Sequence, residues 1–129
     1  MILLDTHAWV WWTVDPDRLS ETQRQGITES EDDLIGVSAI SCWEVAKLCE
    51  YGRLDLPVGL SEWFRLALGY PGVSLLPLTP EVAIESTNLP GRFHRDPSDQ
   101  IIVATARIHE CPLVTSDDKI AGYAHVQTI

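Results

Sequence analysis

Basic residues are scarce in this chain: nine Lys and Arg stand against nineteen Asp and Glu, a formal net charge of -10. Phosphate backbones are held by cations, and a field of this sign repels them over a Debye length, which argues against a general-purpose DNA coat. Long apolar runs are also missing; none approaches the roughly 20 residues of a membrane helix, so no membrane association is expected. The opening Met1-Ile2-Leu3-Leu4-Asp5 meets an acid too early for a signal-peptide core, and a cytoplasmic location is expected. Cysteines number only three, Cys42, Cys49 and Cys111, with no C-x-x-C spacing and no His-rich flank. That excludes a disulfide framework and gives no zinc-site pattern; reduced, buried thiols are expected instead.

What is present is an ordinary globular balance, with 45% hydrophobic and 22% charged residues over 129 positions. A chain of this length buries most of its apolar surface without staples, so one domain spanning residues 1–129 is expected. Short apolar runs recur at Ile2 to Leu4, Leu34 to Val37, Val73 to Leu76 and Leu113 to Thr115, with a weaker one at His125 to Gln127. Being almost continuously apolar, they read as strands covered on both faces, and the stretches between them read as helices: Ser20 to Ser30, Ser41 to Glu50, Leu60 to Leu68, Pro80 to Thr87 and Pro97 to Glu110. Glycine and proline punctuate the turns at Tyr51-Gly52, Tyr70-Pro71-Gly72 and Leu89-Pro90-Gly91. The expected class is α/β, a three-layer sandwich with a central parallel sheet of four to five strands flanked by helices.

Nineteen acids imply either a basic partner or carboxylates neutralised by a cation, and their positions decide between the two. In an open parallel sheet the ligand crevice lies beyond the carboxyl ends of the strands. Asp5 follows the first run, Glu44 falls in what reads as the first turn of the next helix, Asp117 follows the fourth run, and Asp99 opens the helix leading into it. Any one of these is explained by capping and the helix macrodipole. Asp96-Pro97-Ser98-Asp99 shows this directly: Asp96 fits an N-cap, Pro97 the first helical position and Asp99 the capping-box acid, so Asp96 reads either as a purely structural cap or as a supporting or substrate-contacting residue of the pocket. Four acids at one sheet edge are different, because they raise each other's pKa unless positive charge sits among them. All-oxygen donors favour Mg2+ or Mn2+, and such an ion supports hydrolytic phosphate chemistry.

Leu4-Asp5-Thr6-His7, Ser41-x-x-Glu44-Val45, the segment His94-Arg95-Asp96-Pro97-Ser98-Asp99-Gln100-Ile101-Ile102-Val103-Ala104 and Thr115-Ser116-Asp117 follow one another along nearly the whole chain. Together they resemble the successive signatures of PIN domains, and most closely those of VapC-type toxins. The resemblance implies a parallel sheet flanked by helices, an acidic pocket for magnesium or manganese, and endonucleolytic cleavage of RNA. It further implies the toxin part of a type II toxin-antitoxin system, homodimerisation, and inhibition by a cognate antitoxin protein. Matched residue by residue, Asp5, Glu44 and Asp99 correspond to the three principal acids, Asp117 to the fourth, and Thr6 and Thr115 to small hydroxyl residues that orient the pocket.

Other residues have a functional and a plain reading side by side. Lys47, three positions after Glu44, either reaches the pocket mouth or forms a surface i,i+3 pair. Arg92, His94 and Arg95 are the densest basic group and stand as substrate contacts that offset repulsion of RNA. His7 reads as a hydrogen-bonding neighbour of the pocket rather than a proton shuttle. Trp9, Trp11 and Trp12 are too close in sequence all to face inward, so one or two are expected to line a groove for a partner. Competing readings are a housekeeping RNA-processing or DNA nuclease on the same fold, a catalytically silent RNA-binding module, and a phosphoacceptor receiver domain. The last lacks its acceptor acid, since Val73-Ser74-Leu75-Leu76-Pro77 ends without one.

Overall fold

A computed structural model of the chain describes every residue, Met1–Ile129. Strands β1 (Ile2–Leu4), β2 (Ile35–Ser38), β3 (Val73–Leu76) and β4 (Leu113–Val114) alternate with seven α-helices: α1 (Thr6–Val14), α2 (Glu21–Glu29), α3 (Ala39–Glu50), α4 (Leu60–Leu68), α5 (Pro80–Ser86), α6 (Pro97–Ile108) and α7 (Asp118–Ala121). The sheet has the order β3-β2-β1-β4, and all its pairings are parallel. The fifth run does not become a strand. It contributes a single bridge, Leu113 to Thr128, and the segment's backbone hydrogen bonds to β4 continue only from Gln127 and Ile129.

Alternation along the strands builds the two layers. Ile2 and Leu4 face one core with Trp9, Val10, Ile27, Val37 and Trp63, while Leu3 faces the other with Ile102, Val103, Ala106, Leu113 and Ile120. Each such side chain, fully buried, contributes roughly 1.5–3 kcal/mol over leaving it in water. Helix ends are set by their own chemistry: Ser20 and Gln23 form a reciprocal capping box on α2, Thr79 caps α5 ahead of Pro80, and Asp96 caps α6 ahead of Pro97. No helix is long and apolar enough to cross a membrane.

Gly36 shows how tightly the second core closes on the sheet. It pairs with Leu3 on the central strand, and a Cβ built there stands 2.8 Å from Leu76 Cδ1 and 3.3 Å from Leu3 Cδ1. Both leucines are buried, so neither has free space to retreat into. Gly36→Val is expected to cost about 1–3 kcal/mol by overpacking. Denaturant unfolding measures it, and Leu76→Ala in the same molecule should recover part of the loss; an unchanged midpoint would contradict this packing.

Three sequence-level expectations shift in detail. Ser38 caps α3, its Oγ accepting from Ile40 N at 3.2 Å, so the helix starts at Ala39 and Glu44 lies in its second turn rather than its first. Cys111 is buried, but Cys42 and Cys49 are half-exposed, and all three are free thiols. The short helix α7 was not legible, because four residues, Asp118–Ala121, leave no periodicity to read.

Candidate active site

Beside β1 the chain crosses over in opposite directions, to β2 on one side and to β4 on the other. That makes the carboxyl end of β1 a topological switch point, where a crevice opens. Asp5, Thr6, Glu44, Asp96, Asp99 and Asp117 line one cavity of about 370 Å³ there, with His7, Trp11 and Ser116 on its walls. Every acid named from the sequence is therefore in one place, although the four come from the ends of β1 and β4, from α3 and from α6.

Three of the carboxylates are held by partners close in sequence, and Glu44 by one 38 positions away. Asp5 ends β1 and caps α1, its Oδ1 accepting from Ala8 N at 2.8 Å, and it is only 6% exposed. Glu44 Oε1 lies 2.6 Å from Thr6 Oγ1, which in turn lies 2.9 Å from the buried Ser41 Oγ. A threonine hydroxyl has one proton, and the carboxylate is the stronger acceptor, so Thr6 donates to Glu44 and receives from Ser41. Asp99 Oδ2 lies 2.6 Å from His94 Nε2, and Asp117 Oδ1 accepts from Lys119 N at 2.8 Å as the cap of α7. Thr115 stands behind the cavity: its Oγ1 accepts from Asp117 N at 3.1 Å.

Electrostatics follow from that crowding. Burial pushes the Asp5 carboxyl above its ordinary range, with Thr115 and Ala8 opposing. Burial likewise raises Glu44 and Asp99, and the neighbouring charges add to it: Asp99 and Asp96 on Glu44, Asp96 and Asp117 on Asp99. His94 and His7 act the other way, His94 by its hydrogen bond to Asp99 and His7 beside Asp5 and Glu44. Nδ1 of His94 is buried with no partner, so the tautomer this geometry accommodates carries its proton on Nε2 and donates it to Asp99.

The arrangement suits a hard cation without being closed around one. No three of the acids are drawn together tightly enough to hold an ion as they stand. Yet Glu44 and Asp99 each spend one oxygen on a protein donor and keep the other, all the donors are oxygens, and their mutual repulsion disfavours the empty charged state. Those properties fit magnesium or manganese better than a zinc site built on Cys and His.

The remaining candidates divide. Asp96 lines the cavity, and its Oδ1 accepts from Asp99 N at 3.0 Å, the capping role expected of it. Lys47 takes the surface reading: its Nζ bonds Glu50 Oε1 at 3.0 Å, at the edge of an adjoining cavity that shares Glu44 and Asp96. Arg95 is exposed and lines neither cavity. Among the tryptophans, Trp9 is core, Trp11 walls the acid cavity under the guanidinium of Arg18, 4.8 Å from its ring, and Trp12 lines an apolar groove with Val58, Trp63, Leu66 and Tyr70. Sequence reasoning missed the specific jobs of His94 and Ser41. A histidine five residues ahead of the capping-box acid and a serine one turn before Glu44 were in plain sight, but the fold of the loop that turns His94 back on Asp99, and the distant Thr6 that Ser41 meets, were not.

Comparison with known proteins agrees with the fold. The family model for the PIN domain matches residues 2–126. Ribonuclease VapC22 of Mycobacterium tuberculosis is 34% identical over 128 residues, covering 99% of this chain and 95% of that protein. A toxin-antitoxin complex from Klebsiella pneumoniae has a chain that superposes with a TM-score of 0.64 at 21% identity, covering 98% of this chain and 95% of that one. A DNA-bound VapBC complex from Salmonella typhimurium has one with a TM-score of 0.68 at 16% identity, covering 99% and 96%.

Proposed function

This chain belongs to the PIN-domain family, and on that footing we propose that it is an endoribonuclease that hydrolyses RNA phosphodiester bonds with magnesium or manganese, acting as the toxin of a toxin-antitoxin pair. One observation carries the reading: Asp5, Glu44, Asp99 and Asp117, far apart in sequence, line a single cavity at the carboxyl end of the sheet. Repulsion among buried carboxylates is a standing cost, and a hydrolytic metal site is the use that accounts for it.

In this reading Asp5, Glu44, Asp99 and Asp117 hold the cation. When bound, it supplies Lewis acidity that polarises a phosphoryl oxygen and lowers the pKa of water. The chain's own contribution is positional. Asp5 is fixed by its capping bond and burial, Thr6 and Ser41 orient Glu44, His94 orients Asp99, and the Lys119 amide orients Asp117. A carboxylate already pinned through one oxygen loses little further freedom on engaging a ligand through the other. The backbone bond from Asp5 N to Val114 O holds the ends of β1 and β4 together, and Thr115 accepts from the Asp117 amide just beyond β4.

A cognate antitoxin and a second copy of the chain are the protein partners that go with this role. The apolar groove beside Trp12 is the surface we assign to the antitoxin. The test of the activity is incubation of the purified chain with single-stranded RNA and with DNA of the same sequence, with and without a chelator. Cleavage of RNA alone, abolished by chelation, is the expected result. Cleavage of DNA at a matching rate would favour the general nuclease reading, and no cleavage of either would overturn the proposal.

A further inference from the structure

In a chain this acidic, the few unpaired cations mark where a polyanion is tolerated. Of nine Lys and Arg, four are paired to carboxylates: Arg24 to Asp17, Lys47 to Glu50, Arg65 to Glu62 and Arg107 to Glu85. Two of the unpaired ones, Arg92 and Lys119, come from separate segments and face one cavity of about 430 Å³, together with His94 and His125. No Asp or Glu lines that cavity. Its size is in the range of ordinary ligand pockets.

The pocket is built rather than accidental. Tyr123 bonds through its hydroxyl to Pro90 O at 2.5 Å, joining the loop that carries Arg92 to the turn after α7. Tyr123 also packs edge-to-face against both Phe93 and His125, with centroids at 4.8 and 5.3 Å. Gly91 adopts φ +66, a left-handed conformation that favours glycine, and this turn brings the loop alongside the His125 imidazole. Arg107 bonds His125 O at 2.7 Å and fixes the other side.

It also shares its wall with the acid cavity. His94 faces the basic pocket and holds Asp99 on the other side; Lys119 faces it and donates its backbone N–H to Asp117. Whatever fills the basic pocket and continues past that wall reaches the carboxylates proposed to bind the cation.

We infer that the pocket walled by Arg92, Lys119 and His125 is a subsite for a backbone phosphate of the single-stranded RNA, next to the bond that is cut. The inference rests on the nuclease reading above. Arg92 and Lys119 neutralise the phosphate, and the exposed His125 ring, braced by Tyr123, offers a further donor and a flat face. A strand held here lies beside Asp99 and Asp117, which His94 and Lys119 contact from the shared wall. An acidic peptide would meet the same cations, and the poly-glutamate arm of the test below separates it from RNA.

The test uses the full chain carrying Asp5→Asn, which keeps RNA uncut, and a fluorescent single-stranded RNA of about 12 nucleotides, within the usual footprint of such sites. Adding Arg92→Ala and Lys119→Ala, both at exposed positions, should weaken binding roughly tenfold or more and flatten the logarithmic salt dependence by about 0.7 for each phosphate that is no longer neutralised. The melting temperature should not move. In the otherwise native chain the same pair should raise KM with little change in kcat, and Arg92→Lys with Lys119→Arg should restore it. Unchanged affinity and salt slope in a chain that still cuts RNA would overturn the subsite alone. Loss of binding to a poly-glutamate peptide, with RNA binding intact, would overturn it in favour of a protein partner. If the native chain neither binds nor cuts RNA, the nuclease reading fails first.

Discussion

Asp5→Asn should abolish RNA cleavage, by at least about a thousandfold or ~4 kcal/mol of transition-state stabilisation, while leaving the fold in place. Asparagine caps a helix as well as aspartate does, and its amide oxygen can still accept from Ala8 N, so α1 has no reason to unravel. What the substitution removes is the buried negative charge at the floor of the cavity. The same change should stabilise the metal-free protein. The carboxyl pKa of Asp5 is raised by folding, as are those of Glu44 and Asp99, so the folded chain binds these protons more tightly than the unfolded one. Such a group contributes no penalty below the ordinary carboxylate range and an increasing one as pH climbs through the raised value. Melting curves in chelator should therefore show Asp5→Asn above the native chain at neutral pH, with the gap closing on acidification. Cleavage at near the native rate would remove Asp5 from the site, and a lower neutral-pH melting point would contradict the electrostatic account.

Magnesium or manganese should raise the stability of the native chain by about 2.7 kcal/mol at a hundredfold excess over its dissociation constant. For a domain of this size that is a melting shift of roughly 10 °C, reversed by chelator. The carboxylates carry the shift because an ion relieves their repulsion only in the folded state, where Asp5, Glu44, Asp99 and Asp117 face one cavity. Replacing Asp5 and Asp99 together by asparagine should leave little of it. An equal shift in that double variant would place the ion elsewhere, and no shift in the native chain would remove the metal from the proposed mechanism.

The elements were legible where local rules are strong. β1, β3 and α4 match their expected limits, since short apolar runs bounded by turns and an amphipathic stretch around Trp63 and Phe64 leave little ambiguity. The Asp96-Pro97-x-Asp99 start of α6 was read down to the hydrogen bond, because capping is a property of four consecutive residues. Where reading failed, the signal was too short or too distant. Four residues of α7 carry no period, the His125 to Gln127 run gains only one bridge, and the onset of α3 moved when Ser38 capped it.

Identity and order of the acids were thus settled within the chain itself: Asp5 and Asp117 follow strands, Asp99 opens α6 and Glu44 lies in the second turn of α3, and those positions depend on residues only a few places away. Tertiary packing decided which acids share a cavity and which distant groups join them there. Thr6 meets Glu44 across 38 positions, Gln23 bonds Thr115 O across 92, and the wall joining His94, Asp99, Asp117 and Lys119 exists only because α6 and β4 return beside β1. The reason is physical. Capping and periodicity act over one helical turn, whereas hydrogen bonds across a cavity and a shared electrostatic field depend on distances that only the closed sheet determines.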